Sequence, residues 1–276
     1  MNPGDRFYQS LIESVSTNLP SIAFFGRIGS RVFGSSDSQA DYDILVIIDK
    51  KLRIETAALW DSFVSCVEKT RDDSGADVLL IPSMSLEHLC FALRREIDET
   101  ASPLIVHLLL YPTVDALGRW ERPDIIEGFA RTLDETANNF IGDPRLIKDL
   151  AQKLIHKMKM PDYVWAHMSQ LLTARILMSN TTLGETNIGS NSLRTVKYCL
   201  RHFTNFSLVR DHRADPNGLK TWDKTMELAR ANKLPWLSLL ERVRGMDKGE
   251  LSSNIESLRQ VYGEVLNLFV KSLTED

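Results

Sequence analysis

Apolar residues follow two different spacings along the chain, and the change of spacing divides it into two parts. Up to about residue 115, short apolar runs of strand length alternate with stretches in which apolar residues recur at helical spacing. This mixture is typical of a small sheet combined with amphipathic helices. Beyond that point helical spacing continues almost to the end. The pattern predicts an α/β domain of α+β type over residues 1–115 and an all-α domain over 116–276.

The first part predicts a small mixed sheet. Predicted helices span 5–15, 56–67 and 83–98, and predicted strands span 21–25, 41–48 and 76–81. The segment 104–111 is apolar except for His107 and fits either a helix or a buried strand. Prolines bracket a predicted loop over 112–123. In the second part, helices are predicted over 125–139, 144–159, 162–179, 190–203, 219–231, 236–244 and 251–272.

Several features predict a cytoplasmic protein with no membrane partner. No apolar run approaches the ~20 residues that a membrane-spanning helix requires. The first residues lack the basic start and apolar segment of a secretory signal. Cys66, Cys90 and Cys199 are far apart and lie in apolar patterns, so we expect reduced core cysteines and neither a disulfide nor a zinc site.

The overall charge does not indicate a polyanionic partner. The formal net charge is −4 and the sequence pI is about 5.9. A protein that binds nucleic acid through its whole surface carries a strongly basic field, which this chain lacks. Any nucleic-acid site must therefore be a local basic patch.

Residues 29–48 contain the candidate chemistry. A turn at Gly29-Ser30 is followed by a polar loop and then by Asp41-Tyr42-Asp43, which begins an apolar strand. Because strand side chains alternate, Asp41 and Asp43 should share one face and Tyr42 should lie on the other. Two carboxylates this close repel each other unless a cation lies between them. Oxygen ligands of this kind favour Mg²⁺ or Mn²⁺.

The turn before the carboxylates is suited to phosphate binding. Gly29 has no side chain to obstruct a close approach, and Ser30 offers a hydroxyl next to backbone N–H groups at a predicted helix start. Arg31 and Arg27 flank the turn. Either arginine is a candidate phosphate contact, with a solvated surface position as the alternative.

In its order and spacing, this stretch resembles the nucleotidyltransferases of the DNA polymerase β superfamily. Their pattern is Gly-Ser followed by Asp-x-Asp on a strand, which stands here as Gly29-Ser30 and Asp41-Tyr42-Asp43. The form GSRVFG with ADYD looks most like a subgroup of predicted RNA-repair, or minimal, nucleotidyltransferases. Aminoglycoside nucleotidyltransferases share the broader pattern. One departure is Gln39-Ala40, where the family usually has a serine or another small residue before the first aspartate.

The resemblance implies an ATP-binding, magnesium-dependent transferase. Such enzymes move an NMP from an NTP, with ATP expected here, to an acceptor hydroxyl and release pyrophosphate. Two metal ions assist the in-line displacement. The family completes its metal site with a third carboxylate on a later strand, and Asp77 is the best match. Asp41, Asp43 and Asp77 are thus the expected catalytic residues and metal ligands, with Gly29, Ser30 and Arg31 at the nucleotide.

The resemblance also implies a basic helix in the second domain that closes over the triphosphate. Arg194, Lys197 and Arg201 share one face of a predicted helix, so they are candidate nucleotide-binding residues. A solvated helix face is the alternative interpretation. Tyr198 could stack on a base or belong to the core, and His107, in an apolar run, is expected to be a satisfied core histidine.

The acceptor is the open question at this stage. The resemblance favours an RNA end, such as that of tRNA, whereas the size and acidic pI also suit a small aminoglycoside-type acceptor. Transfer to a protein side chain is a third alternative. A hypothesis of another class is a non-catalytic nucleotide-binding regulatory module, but the intact Asp41/Asp43 pair argues against it. The oligomeric state cannot be predicted.

Overall fold

The chain divides into two compact units. The computed structural model describes residues 3–29, 32, 41–79, 88–93, 104–136, 138–179, 185–215, 219, 221–246 and 255–274. The first unit comprises Met1–Gln152 and the second Lys153–Asp276. The division therefore lies later in the chain than the predicted boundary at 115, because the segment after 115 packs with the sheet.

The first unit is a mixed α/β structure. Its helices are α1 (Pro3–Asn18), α2 (Thr56–Ser74), α3 (Val114–Trp120), α4 (Pro123–Arg131) and α5 (Arg145–Ile155), the last of which crosses the division. Its strands are β1 (Phe24–Ile28), β2 (Tyr42–Asp49), β3 (Asp77–Leu79), β4 (His88–Leu93), β5 (Leu104–Thr113) and β6 (Phe140–Gly142). They form one six-stranded sheet in the order β3-β4-β5-β2-β1-β6.

The sheet is mixed and its two central strands are parallel. β2 pairs in parallel with β5, whereas β1–β2, β1–β6, β4–β5 and β3–β4 are antiparallel. The central strands are apolar on both faces, as expected for strands covered on both sides. In β2 every residue is buried except Asp43, which is partly exposed.

One face of the sheet is covered by α1 and α2. Phe7, Leu11 and Val15 of α1 and Phe63 of α2 are buried in a single core with alternate residues of the strands. The alternate residues of β2 in this core are Tyr42, Ile44, Val46 and Ile48. Asp43 belongs to the opposite set, so it points to the other face. On that face α3 packs against β5 and β2.

Several predicted elements of the first unit are confirmed. The predicted helices over 5–15 and 56–67 lie within α1 and α2, and the strand over 41–48 is β2 displaced by one residue. The strand predicted over 76–81 is observed as Asp77–Leu79, and its last two residues lie outside the described ranges. The strand predicted over 21–25 begins and ends later, at Phe24–Ile28.

Other predictions for this unit are wrong. In the helix predicted over 83–98, the described residues His88–Leu93 form strand β4, because the strands on both sides offer backbone partners to a short apolar run. The rest of that predicted helix lies outside the described ranges. The loop predicted over 112–123 contains α3, which Thr113 caps by accepting the N–H of Ala116. The helix predicted over 125–139 ends at Arg131, after which the chain turns and forms β6.

The second unit consists of helices in its described residues. They are α6 (Met160–Ser179), α7 (Glu185–Arg210), α8 (Trp222–Ala231), α9 (Leu237–Gly245) and α10 (Ile255–Ser272). These helices confirm the predicted all-α character, although α7 is longer at both ends than predicted. The unit has its own core, in which Leu200 and Phe203 of α7 are buried with Leu240 of α9 and Phe269 of α10. Among the described helices none is long and apolar enough to cross a membrane.

Candidate functional site

Gly29 and Asp43 lie against each other at the start of the candidate site. Ile28, the last residue of β1, pairs with Asp43 in β2, so the chain leaves β1 beside this carboxylate. Gly29 has a φ of +91°, which favours glycine. A Cβ atom at this position would lie 2.6 Å from Asp43 Oδ2. The glycine of the Gly-Ser pair is therefore needed both for its backbone conformation and for the space occupied by Asp43.

The end of α4 fixes the backbone of Gly29. The N–H of Gly29 donates to Thr132 Oγ1 at 3.0 Å, and the Thr132 hydroxyl donates to the carbonyl of Gly128 at 2.8 Å. The carbonyl of Gly29 accepts the N–H of Val32 at 3.3 Å. Ser30, Arg31 and the polar loop over 35–40 lie outside the described residues.

Both aspartates are accessible to solvent, and Asp43 lies on the face that α1 and α2 leave uncovered. The side chain of Asp43 is 33% exposed, and Asp41 is exposed. Tyr42 lies on the opposite face, where it is buried and donates to Asp5 Oδ1 at 2.7 Å. The predicted alternation is thus confirmed for Tyr42 and Asp43. It leaves a carboxylate on an open face next to the Gly29 turn.

His107 is a site residue whose role the sequence does not reveal. It pairs with Asp43 across the parallel strands β2 and β5, and its Nδ1 lies 3.3 Å from Asp43 Oδ1. The hydrogen bond with Asp43 raises the pKa of His107 above its ordinary value, and the charges of Asp43 and Asp41 add to this effect against the opposing effect of burial. His107 is thus satisfied by a hydrogen-bond partner, as expected, but that partner is a site carboxylate and its side chain is 18% exposed. Only the strand register brings them together.

Cys90 continues this row of side chains on β4. It pairs with His107, so Asp43, His107 and Cys90 occupy one line across three strands. Burial raises the pKa of the Cys90 thiol, and the negative charges of Asp41 and Asp43 raise it further. A raised pKa favours the neutral thiol, the form in which cysteine is least nucleophilic.

The structure does not bring Asp77 to the aspartate pair. Asp77 lies on edge strand β3, and β4 and β5 separate that strand from β2. Three strand spacings amount to roughly 14 Å, far beyond the reach of a shared metal ion. The prediction that Asp77 supplies the third carboxylate is therefore not supported by the sheet order. His107 occupies the neighbouring position instead.

The described residues fit a metal ion that keeps open coordination positions. No three His, Cys, Asp or Glu side chains within the described ranges are grouped to form a closed metal cage. Mg²⁺ is commonly held by only one or two carboxylates, with water and substrate phosphate as its other ligands. Asp41 and Asp43 are an oxygen donor set of this kind, on a face open to solvent.

Arg27 belongs to the scaffold and not to a phosphate site. Its side chain lies on the α1 face of the sheet, opposite Asp43. The guanidinium Nη2 lies 2.7 Å from Asp134 Oδ2, and Nη1 lies 3.3 Å from Asp5 Oδ1. These two ion pairs occupy the group that the sequence offers as a candidate phosphate contact.

The basic face of α7 has three different environments. The Lys197 ammonium donates to the carbonyl oxygens of Met246 at 2.6 Å and Arg244 at 3.2 Å. These carbonyls lie at the carboxyl end of α9, where the helix dipole stabilises a cation. The Arg201 guanidinium carbon lies 5.6 Å from the centre of the Trp222 ring. Arg194 is exposed. The prediction of one shared phosphate-binding face is weakened, because two of its three members serve contacts within the second unit.

Comparisons with known proteins do not assign a family. Neither the models of protein families nor the curated proteins that were searched gave a match to this sequence. The functional interpretation therefore rests on the residues of the site and on the motif that they form.

Proposed function

We propose that the protein is a metal-dependent nucleotidyltransferase that moves an NMP from an NTP, with ATP expected, to an acceptor hydroxyl. The observation that carries the proposal is the contact between Gly29 and Asp43. It links the two halves of the Gly-Ser and Asp-x-Asp motif through a glycine that cannot be replaced without displacing the carboxylate. A chance Gly-Ser pair and a chance Asp-x-Asp would not be expected to depend on each other in this way.

In this proposal Asp41 and Asp43 hold Mg²⁺ or Mn²⁺. When bound, the ion neutralises phosphate charge and lowers the pKa of the attacking hydroxyl. The acceptor hydroxyl loses its proton to water, its oxygen bonds to the α-phosphorus, and the bond to the leaving pyrophosphate breaks. The protein contributes by holding the acceptor hydroxyl and the NTP in the geometry that the reaction requires.

His107 has a positioning role in this proposal. Its hydrogen bond to Asp43 Oδ1 fixes one carboxylate oxygen, while Gly29 lies against the other. A carboxylate held from two sides keeps one rotamer, so its lone pairs remain directed at the same point. Partners of this kind, one step removed from the metal, commonly affect metal affinity or activity by about 10- to 100-fold.

We favour an RNA end as the acceptor. The support comes from the second unit, where an exposed arginine and an exposed tyrosine line the same pocket. A cationic aminoglycoside would instead be expected to need an acidic pocket. Small hydroxylated molecules and protein side chains are the competing acceptors that the experiment must include.

The test is the incubation of the purified full-length protein with each α-labelled NTP, Mg²⁺ and total RNA, in parallel with a panel of aminoglycosides and proteins. We expect label in RNA, dependent on Mg²⁺ and lost in Asp43→Asn. Asp77→Asn is the matched control, because it removes a carboxylate from the same sheet at a distance from the site. We expect it to retain transfer.

Two results would contradict the proposal. If no acceptor is labelled under any condition, the protein is not a transferase of this kind. If Asp77→Asn abolishes transfer and Asp43→Asn does not, the reacting groups lie elsewhere. Label in an aminoglycoside or a protein would retain the reaction and replace RNA as the acceptor.

A further inference from the structure

A pocket between α6 and α7 combines the groups that recognise a nucleotide. Its volume is about 360 Å³, and its described lining is Gln170, Arg194, Thr195 and Tyr198. These residues provide an amide, a cation, a hydroxyl and an aromatic ring. The amide is held in place, since the thiol of Cys199 donates to Gln170 Oε1 at 3.6 Å.

The aromatic ring in this pocket belongs to a column of rings. Tyr198 is 41% exposed, and its centre lies 4.0 Å from that of His202. The column continues inward through rings whose successive centres are 6.5, 4.3 and 4.0 Å apart, namely those of His202, His167, Tyr163 and Phe206. His167 and Tyr163 are fully buried. The column holds the exposed ring in position, so little conformational entropy is lost when a flat ligand stacks on it.

Arg194 supplies the positive charge at the pocket. It lies one helical turn before Tyr198 on α7 and is exposed. Within the described ranges no carboxylate forms an ion pair with its guanidinium. Lys197 and Arg201, by contrast, are engaged with α9 and with Trp222. Arg194 is thus the member of the basic helix face that remains suited to an external anion.

We propose that the α6–α7 pocket binds an unpaired nucleobase. The base stacks on the ring of Tyr198, and the Arg194 guanidinium contacts the phosphate next to it. Proteins that bind single-stranded nucleic acid combine aromatic side chains, on which the bases stack, with positive charge along the backbone of the strand. The amide NH₂ of Gln170 can meet the polar edge of a base. That the bound strand is the acceptor rests on the proposed transfer, whereas the binding itself does not.

The test measures binding without catalysis. Fluorescence anisotropy follows a labelled single-stranded RNA titrated with the full-length protein in the absence of NTP and metal. We expect Tyr198→Leu to weaken binding by roughly 5- to 100-fold, the range for loss of one base–aromatic stack, and Tyr198→Phe to bind like the wild type. Arg194→Gln should lower the dependence of log affinity on log salt concentration by about one counterion.

Trp165→Leu is the matched control. Trp165 is an aromatic residue on α6 that is 64% exposed and does not line the pocket. We expect this variant to bind RNA like the wild type. A loss equal to that of Tyr198→Leu would contradict the proposal, as would unchanged binding by both Tyr198→Leu and Arg194→Gln. Circular dichroism of each variant verifies that the helices remain folded.

Competition with AMP and ATP shows whether the bound base and phosphate belong to a free nucleotide or to an RNA strand. Mononucleotides that displace the RNA at comparable concentrations would place a free nucleotide in the pocket, whereas RNA that resists displacement would place a strand there. Failure of the protein to bind either one would overturn the proposal. Asp43→Asn separates this proposal from the proposed function, because it should bind RNA normally and transfer nothing.

Discussion

Gly29 occupies the point where the two halves of the proposed site touch. Its backbone is anchored by Thr132, and its missing side chain leaves room for Asp43. The motif explains a glycine here by the close approach of phosphate to the backbone. The structure gives a further reason, which the spacing of residues along the chain does not reveal. The pairing of β1 with β2 places Gly29 directly beside the carboxylate of Asp43.

Gly29→Ala should therefore damage both activity and stability. A Cβ atom 2.6 Å from Asp43 Oδ2 forces the carboxylate away, and a displacement of about 1 Å can cost on the order of 100-fold in rate. The positive φ adds strain of about 1–3 kcal/mol. Transfer assays and urea unfolding measure the two effects.

Gly75→Ala provides the control for backbone strain. Gly75 also has a positive φ, at +61°, but nothing lies within 4 Å of the position of its Cβ atom. We expect a loss of about 1 kcal/mol in stability and unchanged transfer. If Gly29→Ala and Gly75→Ala lower transfer equally, the contact with Asp43 has no functional meaning.

His107 allows a sharper test of positioning. His107→Asn keeps an N–H donor close to the place of Nδ1, whereas His107→Val removes it. We expect the valine variant to lose roughly 10- to 100-fold in activity and in Mn²⁺ affinity, and the asparagine variant to retain most of both. Mn²⁺ binding is measured by electron paramagnetic resonance without NTP. Equal losses in the two variants would show that the imidazole does more than hold Asp43.

At the scale of elements, β1 is held to the segment after α4 by a partly buried ion pair. Both Nε and Nη2 of Arg27 donate to Asp134 Oδ2, and the N–H of Asp134 donates to the Arg27 carbonyl at 2.9 Å. The Asp134 side chain is only 4% exposed. Burial alone would raise the pKa of Asp134, but hydrogen bonds from Thr136 and Arg27 outweigh it and place the pKa below its ordinary value.

This pair predicts a defined response to pH. Because the pKa of Asp134 is lower in the folded chain, its contribution to stability is present above the ordinary aspartate pKa of ~3.9 and declines as the pH falls toward the folded value. Asp134→Asn should cost about 3 kcal/mol at pH 7 and progressively less in acid. Urea unfolding at several pH values measures the difference between the two proteins.

Asp143→Asn is the control for this experiment. Hydrogen bonds from Arg145 also lower the pKa of Asp143, but Arg145 is 80% exposed and only two residues away. Solvent screens this ion pair, and its two residues are already close in the chain. Asp143→Asn should therefore cost little stability at every pH. If the cost of Asp134→Asn stays constant down to acid pH, the carboxylate charge does not stabilise the fold.

The elements that the sequence predicts correctly are those whose pattern is decided locally. Helix α1 has apolar residues at helical spacing, and β2 is a long apolar run that begins at a polar loop. Strand β4 has a short apolar run that suits either element, and its neighbours β3 and β5 decide in favour of a strand. Likewise, in the order of the sequence Asp77 matches the third metal-binding carboxylate of the motif. In the fold, however, β3 lies at the edge of the sheet, and this separates Asp77 from Asp43.

At the scale of the whole molecule, the division into units follows tertiary contacts and not the change of secondary structure. The change to helices after residue 115 predicts a boundary there. However, β6 pairs with β1, and Thr132 and Asp134 hold Gly29 and Arg27 from the segment beyond that point. These bonds make residues 116–152 part of the unit that contains the proposed site.

Expression of fragments tests this division directly. Residues 1–152 contain the whole sheet and the partners of Gly29 and Arg27, and residues 153–276 contain a separate core. We expect both fragments to unfold cooperatively in urea and to show circular dichroism consistent with their helices.

A fragment of residues 1–115 should not fold, although it contains Asp41, Asp43 and His107. It exposes the edge of β1 that pairs with β6, leaves Arg27 without Asp134, and removes α4 together with most of α3. An uncovered strand edge and a partly buried cation that keeps only its more distant partner, Asp5, favour aggregation over a compact state. If this shorter fragment unfolds cooperatively at the same urea midpoint as residues 1–152, the folding unit ends near residue 115. Residues 116–152 would then not be needed for the sheet to fold.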